Sequence, residues 1–243
     1  MLALATVSKQ IFLKPRQVLG FFYASQSRTL KVLGTLSVMR GLYLITNDDP
    51  LPLLLQKLQV ALATQQVQIL QYRRKKILNN DQPNEVEQIK KLCDRYDVPF
   101  VINDDLALAQ QFDLGVHLGQ GDGAITDAVA QLKQGHIIGR TCENSLELAQ
   151  QAILEGATYV AFGAIYATST KPEAGNIGLQ TLAQAKKMID VPICAIGGLT
   201  VENAWLVIEA GADLCAVISD ILGRDLQDIP ARVNAWANLF NKV

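Results

Sequence analysis

The residues best equipped for chemistry in this chain sit at the ends of short apolar runs. Gln71, Arg73 and Lys75 close the run that begins at Val67. Asn103 and Asp104 follow Phe100-Val101-Ile102, and Gly119-Gln120-Gly121-Asp122 follows Gly115-Val116-His117-Leu118. Arg140 and Thr141 end another run, and Thr168, Ser169, Thr170 and Lys171 lie just beyond Tyr159-Val160-Ala161-Phe162. Hydroxyls and backbone N–H groups hydrogen-bond phosphate oxygens, while a lysine adds a mobile point charge. Arg73, Lys75 and Lys171 are therefore cations for a highly charged anion. Asp104 and Asp122 offer hard oxygens to a divalent ion; magnesium commonly takes one or two carboxylates and completes its shell with substrate phosphate and water. Gly197-Gly198, together with the backbone N–H groups at Ile218-Ser219, supplies a second anion site. Two anions are implied, a pyrophosphate beside the metal and a monophosphate opposite.

Such residues converge only if the runs are strands of one sheet ending on one side. Gly41–Thr46, Val67–Tyr72, Phe100–Ile102, Gly115–Leu118, His136–Gly139, Tyr159–Phe162, Ile193–Ile196 and Leu214–Ile218 read as strands. Between them, segments of helical period run over Leu51–Ala63, Asn84–Tyr96, Leu106–Gln111, Ile125–Leu132, Leu146–Leu154 and Val201–Ala210, and Ile229–Phe240 closes the chain. Strands apolar on both faces, alternating with helices, predict a parallel (β/α)8 TIM barrel. An open doubly wound sheet is the alternative. A barrel places its active site at the C-terminal strand ends, where the polar residues lie.

Composition narrows the partners. The 243 residues carry 22 basic and 23 acidic side chains, a net charge of −1 that gives no field for nucleic acid. Small phosphorylated molecules are the expected ligands, with no nucleic acid and no membrane; a homo-oligomer stays open. The four cysteines, Cys93, Cys142, Cys194 and Cys215, form no Cys-x-x-Cys pair, which suits packed thiols in a reducing, cytoplasmic setting. Residues 1–47 contain no Asp or Glu. Residues 1–38 read as an N-terminal extension that is poorly ordered, transit-like (and then organellar) or upstream of a start at Met39, and 39–243 as the barrel domain.

Taken together, Gln71-Tyr72-Arg73-Arg74-Lys75, Asn103-Asp104-Asp105, His117-Leu118-Gly119-Gln120-Gly121-Asp122, Thr168-Ser169-Thr170-Lys171, Ile196-Gly197-Gly198 and Val217-Ile218-Ser219 resemble the thiamine phosphate synthase family in order and spacing, from about Gly41 to Lys242. The resemblance implies a transferase that joins an amino-substituted hydroxymethylpyrimidine diphosphate to thiazole phosphate, releasing pyrophosphate and using Mg2+. It implies that Gln71, Tyr72, Arg73, Arg74, Lys75, Asn103, Thr141 and Lys171 hold the pyrimidine diphosphate, with Lys171, Arg73 and Lys75 catalytic. It assigns Asp104 and Asp122 to the metal, and Thr168, Ser169, Thr170, Gly198, Ile218 and Ser219 to the thiazole phosphate. A related thiazole tautomerase and a non-enzymatic thiazole phosphate sensor are the alternatives.

The chain departs from that pattern in places. Arg74 replaces a customary Glu and should alternate away from the ligand. Gly139-Arg140-Thr141 stands for Gly-Val-Ser, and Ala167 for Pro. Several polar residues have structural readings: Asp105 as the N-cap of the helix from Leu106, His117 and His136 as satisfied structural histidines, and Trp205, Trp236 and Phe240 as outer-layer packing.

Overall fold

Eight short parallel strands, paired in chain order, account for the alternating pattern of the sequence. The computed structural model describes residues 39–166 and 177–242; the expected extension over 1–38, Ala167 and the Thr168–Lys171 loop lie outside them. The strands are β1 (Gly41–Ile45), β2 (Val67–Tyr72), β3 (Phe100–Asn103), β4 (Gly115–Leu118), β5 (Ile138–Thr141), β6 (Tyr159–Phe162), β7 (Ile193–Ile196) and β8 (Leu214–Val217). They close into a barrel, β1 pairing with both β2 and β8. This is the (β/α)8 fold, not the open sheet.

Successive side chains on a strand point to opposite faces, so each strand serves two cores. Tyr43, Ile45, Ile69, Val101, Tyr159, Ala161, Cys194, Leu214 and Ala216 pack inside the barrel. Their neighbours, such as Leu42, Leu44, Leu70, Ile102, Val116 and Val160, pack outward against the helices. Gly139 makes room for the interior ring of Tyr159, because a Cβ there would lie 2.2 Å from Tyr159 Cζ.

The outer layer comprises α1 (Leu51–Leu62), α2 (Gln82–Tyr96), α3 (Leu106–Phe112), α4 (Ile125–Gln131), α5 (Leu146–Glu155), α6 (Ile177–Met188), α7 (Ala204–Glu209), α8 (Ser219–Leu222) and α9 (Ile229–Phe240). Asp105 caps α3 as expected, its carboxylate accepting from Leu108 N at 2.8 Å. Trp236 is fully buried, whereas Trp205 remains 39% exposed. Helices α6 and α8 had no counterpart in the sequence reading. Strand β5 begins two residues later than expected. His136 is drawn off by Asp113, its Nε2 lying 2.8 Å from Oδ1, and the ladder starts where Ile138 pairs with Val116. Arg140 and Thr141 are therefore part of the strand.

All four cysteines are buried and free, and burial pushes the Cys93 and Cys142 thiols up to about 12. Among the described residues no helix is long and apolar enough to cross a membrane.

Candidate active site

The inward parity of β2 explains which of its polar residues reach the barrel mouth. Gln71 continues the face of Ile69 and is 3% exposed. Arg73 takes the same parity, and its backbone N–H donates to Thr46 Oγ1 at 2.8 Å. Tyr72 and Arg74, of the other parity, point outward, which corrects their assignment to the substrate. Tyr72 O–H donates to Glu85 Oε2 at 2.8 Å. Arg74 Nε lies 2.7 Å from the same oxygen, its Nη2 donates to Glu85 Oε1, and its Nη1 donates to the carbonyls of Asn47 and Asp49. Both side chains tie β2 to α2, and Arg74 also ties it to the loop after β1.

At the ends of β3 and β4, two carboxylates face each other. Asp104 is held at φ 66°, its N–H donating to His117 O at 2.8 Å; Asp is among the few non-glycine residues that tolerate this left-handed geometry. Burial, then a hydrogen bond and repulsion from Asp122, raise the Asp104 pKa, while Lys75 pulls it back. Gly119 supplies the space: a Cβ there would lie 2.4 Å from Asp122 Oδ2 and 3.8 Å from Asp104 Oδ1. Among the described residues no cluster of three or more His, Cys, Asp and Glu forms a metal cage. Two adjacent hard carboxylates, that of Asp122 exposed, fit magnesium, which takes its remaining ligands from phosphate and water.

The loop carrying Asp122 is tied down by β5. Arg140 Nη1 donates to Gly123 O at 2.7 Å and Nη2 to Gln120 O at 3.4 Å, while Gln120 Nε2 returns a bond to Thr141 O. In the sequence Arg140 stands among the polar residues at the strand ends and as a departure from the family pattern. In the structure it is the strap of this loop.

Beneath the mouth runs a buried polar chain that the sequence did not reveal. Gln71 Nε2 lies 3.2 Å from Tyr43 Oη, Tyr43 Oη 2.8 Å from Tyr159 Oη, Tyr159 Oη 2.7 Å from His117 Nδ1, and His117 Nε2 2.8 Å from Thr141 Oγ1. Both nitrogens of His117 are thus satisfied, in keeping with its structural reading. Burial, then the charge of Arg140, push its pKa down to about 4. Burial raises both tyrosines well above the usual phenol range.

Across the same mouth, after β7, Gly197 and Gly198 adopt φ of 108° and 64°, a turn that a side chain would strain. Asn203 locks it, Nδ2 donating to Gly198 O at 2.8 Å and Oδ1 accepting from Thr200 N at 2.9 Å. Ser219 begins α8 next to Ile218, whose carbonyl accepts from Ile221 N and Leu222 N. The buried Asp220 beside it is neutralised from behind. Arg232 Nε lies 2.9 Å from Oδ2, Trp236 Nε1 donates to Oδ2 at 2.7 Å, and Arg224 Nη2 lies 3.3 Å from Oδ1. Gln71, Asn103, Asp104, Asp122 and Thr141 thus gather at one mouth, with Gly198 just beyond β7 and Ile218 and Ser219 just beyond β8. Thr168, Ser169, Thr170 and Lys171 lie outside the described residues.

The family model for thiamine monophosphate synthase matches residues 42–221. The thiamine-phosphate synthase of Aromatoleum aromaticum is 42% identical over 205 residues, 84% of this chain and 97% of that protein. The structure of thiamine phosphate pyrophosphorylase from Pyrococcus furiosus superposes with a TM-score of 0.73 at 28% identity, covering 86% of this chain and 98% of that one. KGPDC from Streptococcus mutans matches with a TM-score of 0.65 at 13% identity, over 84% of this chain and 99% of its own; this likeness concerns the fold alone.

Proposed function

The chain belongs to the thiamine monophosphate synthase family, and from that premise we propose how its barrel carries out the reaction. It is a transferase that joins hydroxymethylpyrimidine diphosphate to thiazole phosphate, giving thiamine phosphate and pyrophosphate. The bond between the pyrimidine methylene carbon and the diphosphate oxygen breaks, and its electron pair leaves with pyrophosphate. The thiazole nitrogen then gives its lone pair to that carbon. Catalysis of this kind consists chiefly of stabilising the departing charge.

In our reading Gln71, Asn103 and Thr141 orient the pyrimidine, and Arg73, Lys75 and Lys171 face the diphosphate. Thr168, Ser169, Thr170, Gly198, Ile218 and Ser219 hold the thiazole phosphate. Asp104 and Asp122 hold Mg2+, which when bound supplies positive charge against the leaving pyrophosphate. Lys171 contributes up to about 3 kcal/mol to the same charge, so Lys171→Ala loses roughly a hundredfold in rate. The barrel over 39–243 is the catalytic unit. Four free, buried thiols agree with the reducing environment of the cytoplasm.

The observation that carries this reading is the convergence of Asp104 and Asp122 under the influence of Lys75. Its test is pyrophosphate release from both substrates, with and without magnesium, beside Asp122→Ala. Magnesium-dependent release that falls in the variant is expected. Release that ignores magnesium and survives the substitution would remove the metal role.

A further inference from the structure

The buried chain from Gln71 to Thr141 has four links, and the hydrogens available to fill them are limited. Tyr43, Tyr159 and a neutral imidazole each bring one. Among the described residues no carboxylate is bonded to His117, whose two partners are a phenol and a hydroxyl. If Gln71 donates to Tyr43, then Tyr43 donates to Tyr159 and Tyr159 to His117 Nδ1. The imidazole proton must then sit on Nε2 and be given to Thr141. If instead Gln71 turns its carbonyl to Tyr43, every link reverses and Thr141 becomes the donor. A mixed arrangement either strands a buried hydrogen or sets two lone pairs face to face, each costing about 1–3 kcal/mol. The amide at one end and the hydroxyl at the other are therefore locked together.

The structure has Gln71 donating to Tyr43. That direction leaves Gln71 Oε1 as an acceptor, and leaves the Thr141 hydroxyl hydrogen to be donated. We propose that Tyr43, Tyr159 and His117 are positioning residues that fix this acceptor–donor polarity and thereby select an amino-substituted pyrimidine over its oxo analogue. An aminopyrimidine offers an exocyclic N–H to the carbonyl and a ring nitrogen to the hydroxyl. The oxo form presents an acceptor and a ring N–H instead, so it is accepted only if all four links reverse. The inference rests on the pyrimidine occupying the mouth between Gln71 and Thr141.

Two measurements test it. Nitrogen-15 NMR of labelled protein reads the His117 tautomer without any turnover; protonation at Nε2 is expected, and a proton on Nδ1 overturns the proposal. Kinetics then compare kcat/KM for the aminopyrimidine diphosphate and its oxo analogue in the wild type, Tyr159→Phe and Tyr43→Phe. Each variant uncouples the two ends, so the preference falls about ten- to a hundredfold, while KM for thiazole phosphate stays put. Tyr43→Phe guards against a folding defect in Tyr159→Phe, since it removes a different hydroxyl. An unchanged preference in folded variants overturns the proposal. A wild type that makes no thiamine phosphate overturns instead the reading of the site on which it rests.

Discussion

Replacing Gly119 by alanine is the sharpest probe of the two carboxylates, because it adds one methyl group and removes no functional atom. The added Cβ would lie 2.4 Å from Asp122 Oδ2, whereas ordinary contact begins at 3.4 Å. The carboxylate oxygen must therefore retreat by about 1 Å, a displacement that can cost ~10²-fold when it misplaces a reacting constellation. That corresponds to about 2.7 kcal/mol of lost transition-state stabilisation. The obstacle is the tip of an exposed side chain, so the thermal midpoint should hardly move. Steady-state pyrophosphate release across a magnesium titration gives the answer: a folded Gly119→Ala with lower turnover and a raised magnesium requirement. The double variant with Asp122→Ala should lose nothing further, since both changes strike one interaction. Wild-type turnover at wild-type magnesium, or strictly additive losses, would refute the reasoning.

Glu85→Ala leaves Arg74 buried without its carboxylate, and should cost about 3–5 kcal/mol of stability in denaturant melts; activity per folded molecule stays near wild type, because neither group faces the mouth. Arg140→Val removes the strap on the Asp122 loop, and should raise the magnesium concentration for half-maximal rate about five- to tenfold with KM for thiazole phosphate unchanged. The Arg232 hydrogen bond, which comes first among the causes, holds Glu202 at about 2 instead of 4.5. A depressed carboxylate stabilises the fold above its unfolded pKa and loses that contribution as pH falls through the folded one. Acid unfolding of Glu202→Gln should therefore show a flatter pH dependence between those two values, and an unchanged profile would remove the ion pair from the account. Since Glu202 is exposed, added salt should shrink the difference.

The barrel was legible because its strands are apolar on both faces, a property that survives in the bare sequence from Val67–Tyr72 to Leu214–Val217. Strand β5 slipped because His136-Ile137-Ile138 is as apolar and β-branched as a strand, and only the distant Asp113 and Thr158 show where pairing begins. Helix α8 is a single turn, too short to show a period. Alternation alone turned Arg74 away from the ligand, yet the motif read as one block kept both Tyr72 and Arg74 among the substrate residues. Tyr43 and Tyr159, 116 residues apart, were legible only as strand residues, because nothing local marks a phenol as bonded. Gly139, two residues before Thr141, was the one trace: a missing side chain on the inner face, where another residue's ring had to fit.

Closure of the barrel also sets an order of events for a chain made from its amino end. Strand β1 pairs on one side with β2 and on the other with β8, and Arg40 Nη1 reaches across 200 positions to Phe240 O at 2.6 Å. Until Val217 emerges, one edge of β1 has no partner, and an open edge invites strangers to pair with it. At ribosomal speeds of ~5–20 residues per second, that exposure lasts roughly ten to thirty seconds. The Arg40 clasp forms last of all, so truncating α9 would leave the nascent seam unlatched while the mouth residues of the preceding strands were already in place.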